Sequence, residues 1–337
     1  MAEMDYRTLK AYANNINAVA GVARYQFTEG KAKGLEVAEV KTGAGLRYAV
    51  QLDRGMNIGE ASFDGVNVAF LSKGGNAAPD AAGNDNSLFH YGFNGGLMYT
   101  CGLSHVGAPC EDQGEKLPLH GVISCTRAEE LYAGTDLDET GMPVMQVRGK
   151  INESRLFGED LTLNRKIWSP YGKNVICIHD EITNEGFTTV PLMLLYHCNF
   201  GWPLLSEEAE FFTSGTMVLG GNPISKTETA LYNCFGKPQA DYPERVYNHV
   251  LAGEGDAVFA GVRNKALGIE AVIRFRKSQL PELTQWKLMR SGDYVLGIEP
   301  CNCRTFGRAT ERAEGRLKWI EPGETKTFDL SIEFNRI

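Results

Sequence analysis

The sequence is short of positive charge and of long apolar runs. Its 337 residues include 34 lysines and arginines against 42 aspartates and glutamates, a formal net charge of −8. Nucleic acids and anionic membranes are bound through basic patches, so this balance argues against both as partners. We find no apolar run of about 18 residues and no apolar signal core near residue 1, and we therefore expect a cytoplasmic protein without a membrane span.

Paired cysteine motifs and nucleotide-binding glycine motifs are also missing. The eight cysteines are scattered, no C-x-x-C occurs, and Cys301-Asn302-Cys303 is spaced too tightly for the usual zinc pairing. We expect reduced, small core residues, with a catalytic Cys198 or Cys110 as the functional alternative. The glycines of residues 92–97 lack G-x-G-x-x-G spacing, so no phosphate cradle and no nucleotide cofactor are expected.

What the chain does contain is the pattern of antiparallel strands with one buried face. Apolar and polar residues alternate with period two, and 38 glycines and 13 prolines indicate frequent turns. The predicted strands cover residues 46–52, 144–151, 175–182, 257–262, 271–275 and 328–334.

No linker or fixed repeat interrupts this pattern, so we predict one continuous all-β domain over residues 1–337, closed into a large sandwich. Residues 1 to about 25 are expected to form an appended segment, of which residues 7–20 are the one candidate helix. A domain boundary within residues 210–250 stays open, because the strand pattern is weakest there.

Residues 190–196 differ from the other strands because they are nearly all apolar. Such a run predicts a central strand that is buried on both faces. The predicted strand ends at His197, and an ionisable residue at the end of a buried strand is well placed to face a cleft.

Histidines are scarce, which narrows the search for proton-handling groups. Of the six, His120 lies in a tight bend before Gly121 and His197 follows the buried strand. Each is either functional or a hydrogen-bonded core residue. His105 lies in a glycine-flanked loop and could line a cleft. The remaining three are expected to be structural or solvated: His90, His179 and His249.

Glu299 places an acid inside an apolar strand, directly before a proline. Carboxylates are rarely buried unless they are paired or used. Glu299 is therefore either a general base or the partner of Arg304 or Arg308 in a salt bridge. Arg54, in Asp53-Arg54-Gly55, either forms an ion pair at a strand end or directs its guanidinium to sugar hydroxyls or a carboxylate.

Metal binding is the rival interpretation of the same residues. His120, His197 and Glu299 are ligand types that zinc accepts. Because no H-x-H or H-E-x-x-H pairing is present, the spacing favours a site without metal.

Several segments together resemble one known family. The chain resembles the aldose 1-epimerase (galactose mutarotase-like) superfamily, and within it the bacterial uncharacterised "aldose 1-epimerase family" subgroup grouped as a domain of unknown function. The segments that carry the resemblance are residues 53–59, 95–103, 119–121, 191–201 and 297–302.

The resemblance implies a galactose mutarotase-like β-supersandwich with a sugar-binding cleft, and it implies catalytic roles. His197 would be the general acid on the ring oxygen, Glu299 the base on the anomeric hydroxyl, and His120 a hydrogen-bond partner of the sugar oxygens. Arg54, Asn302 and Arg308 are predicted to contact the substrate.

The sequence departs from the characterised mutarotases beside the predicted acid. Tyr196 stands where those enzymes usually have asparagine, and their Gly-Arg-x-x-x-Arg segment is missing, with residues 95–103 in that region. The surroundings of the sugar therefore differ, and the resemblance does not identify the sugar.

Two histidines and a carboxylate suit mutarotation, which removes one proton, donates another and needs no cofactor or metal. We predict a mutarotase-like epimerase that acts on a small-molecule aldose or sugar derivative. Two alternatives stay open: an epimerase or isomerase with proton transfer at carbon, and a non-catalytic carbohydrate-binding protein.

Overall fold

The computed structural model describes residues 5–82 and 89–337, and these residues fold mainly as antiparallel strands. In chain order the strands are β1 Gly21–Gln26, β2 Glu36–Lys41, β3 Leu46–Gln51, β4 Asn57–Phe63, β5 Val66–Asn67, β6 Tyr99–Leu103, β7 Cys110–Asp112, β8 Glu115–Leu117, β9 Glu129–Leu137, β10 Pro143–Ser154, β11 Asp160–Pro170 and β12 Val175–Asn184. They continue with β13 Val190–Pro191, β14 Met193–Phe200, β15 Ala209–Thr213, β16 Met217–Gly220, β17 Arg245–Val250, β18 Ala257–Asn264, β19 Ile269–Arg276, β20 Glu282–Arg290, β21 Asp293–Cys301, β22 Trp319–Ile320 and β23 Thr325–Arg336.

The helices are short and lie in the connections between strands. They are α1 Tyr6–Tyr12, α2 Pro79–Ala82, α3 Phe89–Gly92, α4 Pro223–Thr227 and α5 Arg308–Ala313, with 3₁₀ turns at Ile16–Ala18, Gly30–Ala32, Ile123–Cys125 and Thr229–Leu231. The predicted helix at residues 7–20 thus consists of α1 and one 3₁₀ turn. No described helix has the length and the apolar character needed to cross a membrane.

Three sheets make up the framework. An eight-stranded sheet has the order β15-β18-β19-β23-β12-β11-β10-β9, a six-stranded sheet the order β16-β17-β20-β21-β14-β6, and a five-stranded sheet the order β1-β2-β3-β4-β5. The all-β prediction is confirmed. The weakly patterned residues 210–250 contribute to both large sheets, because β15 belongs to the first and β16 and β17 to the second. The last residues of the predicted N-terminal segment form β1, which pairs with β2.

The main apolar core draws on all three sheets. In β11, for example, Leu161, Leu163 and Ile167 are buried while Asn164 and Lys166 between them are exposed, as expected of a strand with one covered face. A second, smaller apolar cluster contains Tyr99, Cys101, Met193, Leu195 and Cys301. Because these residues belong to β6, β14 and β21, the second cluster lies on the other face of the six-stranded sheet.

The central strand is buried on both faces, as predicted, but its predicted end is wrong. Every residue of β14 is buried, and the strand continues through His197 to Phe200. The apolar pattern stops at Tyr196, whereas the pairing of Asn199 with Gly297 and of Phe200 with Leu296 extends the strand. His197 therefore lies within the sheet and not in a loop at its edge.

Candidate active site

The side chain of His197 lies on the outer face of the six-stranded sheet. Neighbouring strand residues point to opposite faces, and Tyr196 and Cys198 belong to the main core. Leu195, two residues before His197, belongs to the second cluster. His197 therefore points away from the main core, toward the segments that cover the second cluster.

The pairing of β14 with β21 brings Glu299 to His197. Leu195 pairs with Cys301 and Asn199 with Gly297, so His197 lies across from Glu299. The two side chains are 7% and 3% exposed, and His197 Nε2 is 3.2 Å from Glu299 Oε1. Within the described residues, neither Glu299 Oε1 nor His197 Nδ1 has a well-aligned hydrogen bond. Both groups therefore retain hydrogen-bonding capacity for a ligand.

His120 joins this pair from the turn after β8. Its backbone adopts a left-handed φ of 62°, and its N–H donates to the Gly107 carbonyl at 3.0 Å while its own carbonyl accepts from the Gly102 N–H at 3.1 Å. The ring centroid of His120 lies 5.9 Å from that of His197. The structure thus brings together the three residues predicted to be catalytic.

Burial favours the uncharged form of each of these three groups. It lowers the pKa of His197 to about 4 and raises the pKa of Glu299 to about 8, the latter with a further contribution from the Glu244 carboxylate. The pKa of His120 falls to about 3 through burial and the neighbouring histidines. At neutral pH the site therefore contains a protonated carboxyl beside neutral imidazoles.

The alternative salt bridge of Glu299 is wrong. The Arg304 guanidinium contacts Glu282 at 3.3 Å, and Arg308 contacts Asp112 at 2.7 Å. Glu299 is thus a buried carboxyl whose one close polar neighbour among the described ion pairs is His197.

Aromatic side chains border the pair, and the sequence analysis missed them. The ring of Trp286 lies 5.5 Å from the His197 ring, and the ring of Phe93 lies 5.6 Å from it. Both aromatic residues are only partly buried. Trp286 lies on β20, where Thr284 and Leu288 share its face, but the buried polar residues Gln285 and Lys287 on the other face conceal the period-two pattern in the sequence.

Gly297 lets the groups around the pair pack closely. A Cβ atom at this position would lie 2.7 Å from Glu299 Oε1, 3.0 Å from Trp286 Cβ and 3.2 Å from His197 Cε1. A side chain here would therefore press against the carboxyl, the indole and the imidazole and displace them.

Arg54 is not placed to contact a substrate, and this prediction is corrected. The residue is 1% exposed. Its guanidinium donates to the carbonyls of Ser124, Ala77 and Gly92, and to the Tyr99 hydroxyl at 3.3 Å. Because oxygen atoms of the protein accept these hydrogen bonds, Arg54 connects the segments that contain Ala77, Gly92 and Ser124.

Asn302 and Arg308 are also corrected to structural residues. The Asn302 amide donates to the Leu192 carbonyl at 3.0 Å, and its side-chain oxygen accepts from the Leu194 N–H at 2.8 Å. It thereby continues the pairing of β21 with β14. The buried guanidinium of Arg308 binds the carboxylates of Asp112 and Glu115, which fastens α5 to the β7–β8 hairpin.

The side chain of Tyr196 does not border the site. Its hydroxyl donates to Asp180 at 2.6 Å in the main core, where Arg165 binds the same carboxylate. The departure from the mutarotase asparagine therefore changes the core and not the surroundings of the pair. The alternative of a nucleophilic Cys198 loses support for the same reason, since Cys198 faces the main core and burial raises the pKa of its thiol.

The other histidines lie outside the pair. His249 binds Gln285 at 2.9 Å and His179 binds Asp329 at 2.7 Å, while His90 is exposed. His105 accepts from the Arg308 N–H at 3.4 Å and lines a different cleft of about 780 Å³. Among the residues that the structure describes, no three His, Cys, Asp or Glu side chains are arranged to hold a metal ion.

Several solved structures share this fold. A "putative aldose 1-epimerase" from Klebsiella pneumoniae superposes with a TM-score of 0.86 at 28% identity, over 93% of this chain and 83% of that one. A galactose mutarotase-like protein from Clostridium acetobutylicum gives 0.61 at 13% identity, over 94% and 98%. A galactose 1-epimerase from Lactobacillus acidophilus gives 0.58 at 12% identity, again over 94% and 98%. The predicted galactose mutarotase-like sandwich is confirmed.

The family follows from the sequence. Residues 32–334 match the model of DUF4432, a domain of unknown function, and the chain belongs to this family. No curated protein matches the chain.

Proposed function

We propose that this protein is a mutarotase-like epimerase that interconverts the anomers of an aldose or sugar derivative. One observation carries the proposal: His197 Nε2 and Glu299 Oε1 lie 3.2 Å apart on a largely buried sheet face, and neither His197 Nδ1 nor Glu299 Oε1 has a well-aligned hydrogen bond to a described residue. A buried pair of this kind is costly unless a ligand uses it.

One proton donor and one proton acceptor are what ring opening requires. One group donates its proton to the ring oxygen while the other accepts the proton of the anomeric hydroxyl, so the bond from C1 to the ring oxygen breaks as the carbonyl forms. After rotation about the C1–C2 bond, both transfers run in reverse and the ring closes on the other face. The pair ends with the protons it had at the start, so one acid and one base suffice.

Burial determines the protonation of the two groups before the reaction begins. Because Glu299 holds its proton up to a pKa of about 8 and His197 stays neutral above about 4, the carboxyl is the donor and the imidazole the acceptor. This is the reverse of the roles that the family resemblance implies. His120 is proposed to hydrogen-bond the sugar oxygens through its ring nitrogen Nδ1, which has no hydrogen-bond partner in the part of the chain that the structure describes.

The relatives support the same class of activity. The Klebsiella protein is described as a putative aldose 1-epimerase and the Lactobacillus protein as a galactose 1-epimerase. We propose the same class of activity for the present chain, together with a cytoplasmic location and one sugar-binding domain that spans the chain.

The test is nuclear magnetic resonance of a panel of aldoses in deuterated buffer. We expect enzyme-dependent exchange between anomers without deuterium at any carbon. Glu299→Gln and His197→Gln should each lower the rate by about 100- to 10,000-fold, the usual contribution of a positioned acid or base. His249→Gln, a buried histidine on the core side of the same sheet, is the matched control and should retain the rate.

Other outcomes of this experiment point elsewhere. Deuterium at a carbon would establish epimerisation or isomerisation at carbon in place of mutarotation. Saturable sugar binding without any exchange would establish a binding protein. Exchange rates that stay at the wild-type value in both site variants would overturn the role of the pair.

A further inference from the structure

The indole of Trp286 is fixed beside the pair by a carboxylate. Trp286 Nε1 donates to Glu244 Oε2 at 3.0 Å, and Glu244 is an exposed residue directly before β17. Because this N–H is already bound, the indole offers its apolar face rather than its polar edge. The register of β20 with β21 places Trp286 opposite Gly297, whose missing side chain lets the indole lie close to Glu299 and His197.

A second aromatic ring lies beside Trp286 and the pair. Phe93 lies 6.5 Å from Trp286 between ring centroids, at an interplanar angle of 72°. Both rings also contact the imidazole of His197. Flat, partly exposed aromatic faces next to a few convergent polar groups are typical of sites for ligands that have an apolar face and a polar rim.

The charge of Glu244 is not neutralised by the cations next to it in the sheet. Arg245 binds Glu228 at 2.9 Å, and the Lys287 ammonium donates to the carbonyls of Leu231 and Cys234. The Glu244 carboxylate is close enough to Glu299 to raise the pKa of that carboxyl. A ligand that packs against the Trp286 indole would therefore lie near the negative charge of Glu244.

We propose that Trp286 and Glu244 form a specificity-determining subsite, in which Trp286 packs against the sugar ring and Glu244 selects uncharged aldoses over those that carry a carboxylate or phosphate. The repulsion between like charges excludes the anionic sugars. This inference rests on the proposed function, since it names the substrate class of the same site.

The experiment compares pairs of sugars in which the hydroxymethyl group at C6 is replaced by a carboxylate. Galactose is paired with galacturonate and glucose with glucuronate, and kcat/KM for anomer exchange is measured with the wild type, Glu244→Gln and Glu60→Gln. Glu60→Gln is the matched control, because it removes one exposed carboxylate from β4 in another sheet.

We expect kcat/KM of the wild type to be roughly tenfold or more higher for each neutral sugar than for its uronate, and Glu244→Gln to reduce this ratio by raising kcat/KM for the uronates. Glu60→Gln should leave the ratio unchanged. Equal kcat/KM for both members of a pair in the wild type, or the same ratio in Glu244→Gln as in Glu60→Gln, would overturn the subsite.

Binding measurements separate this inference from the proposed function. Calorimetric titration of the same sugars should show weaker binding of the neutral members to Trp286→Ala by roughly tenfold, with a smaller loss in Trp286→Phe. If no aldose is interconverted but this binding selectivity holds, the proposed function fails and the subsite stands. If aldoses are interconverted and neither charge nor Trp286 affects binding, the subsite fails and the proposed function stands.

Discussion

At the scale of single residues, the site is defined by what burial does to two ionisable groups. Burial raises the pKa of Glu299 to about 8, so that it keeps its proton at neutral pH, and lowers the pKa of His197 to about 4, so that it stays neutral, because water no longer stabilises their charges. The two effects have opposite consequences for stability. The favourable contribution of Glu299 to the free energy of unfolding is lost as the pH rises toward about 8. The favourable contribution of His197 to the same free energy is lost as the pH falls toward about 4.

We predict that Glu299→Gln stabilises the protein increasingly as the pH rises from about 4.5 to about 8. In this interval the unfolded chain releases the Glu299 proton while the folded wild type keeps it, which lowers the free energy of unfolding by a few kcal/mol. Glutamine has no such proton. Urea unfolding near pH 5 and near pH 8 measures the difference, and a stability gain that is equal at both pH values would contradict the prediction.

The protonation of Glu299 can also be observed directly. We expect the infrared spectrum of the wild type near neutral pH to contain the C=O stretch of a protonated carboxyl that disappears in Glu299→Gln, because burial keeps the proton on this residue. A difference spectrum with carboxylate bands alone would show that Glu299 is ionised and that His197 holds the shared proton.

At the scale of elements, the site depends on the small residue of β21 that faces it. We predict that Gly297→Ala lowers kcat/KM by about 100-fold, because the methyl group would displace the Glu299 carboxyl from 2.7 Å. The matched control is Gly236→Ala, where the added carbon meets no atom of the described residues within 4 Å. Activity that survives in Gly297→Ala at the level of Gly236→Ala would show that the position of the Glu299 carboxyl does not matter for the reaction.

The opposite face of β14 should matter for stability and not for the reaction. Tyr196→Phe removes the hydroxyl that donates to buried Asp180 and should lower the free energy of unfolding by about 1–3 kcal/mol. Because the hydroxyl points into the core, kcat/KM of the folded enzyme should stay within about threefold of the wild type. A large loss of activity at unchanged stability would place Tyr196 in the site after all.

At the scale of the whole molecule, local patterning was sufficient for the fold class. Strands such as β12 and β23 alternate apolar and polar residues because one face is buried and the other is exposed to solvent, and both strands were predicted from the sequence. Strand β20 was not predicted, because its Gln285 and Lys287 are polar residues that are buried and bind carbonyls and a histidine. Buried polar residues of this kind conceal the alternation, so long-range pairing was needed to identify the strand.

The site was predictable only in part, for a related reason. His120, His197 and Glu299 are unusual residues in their segments, and the structure brings them together. Arg54, Asn302 and Arg308 are equally unusual, yet their donors are taken by carbonyls and carboxylates that lie far away in sequence. Sequence indicates that such a residue is needed, but only the fold shows whether its partner is the protein or a ligand.

The most direct test of the His197–Glu299 pair is the pH dependence of kcat/KM for anomer exchange, after subtraction of the spontaneous rate. We expect a plateau between about pH 4 and about pH 8. The rate should fall on the acid side as His197 takes up a second proton, and on the alkaline side as Glu299 loses the shared one. An enzymatic rate that stays constant through both limits, or an alkaline limb that persists unchanged in Glu299→Gln, would contradict it.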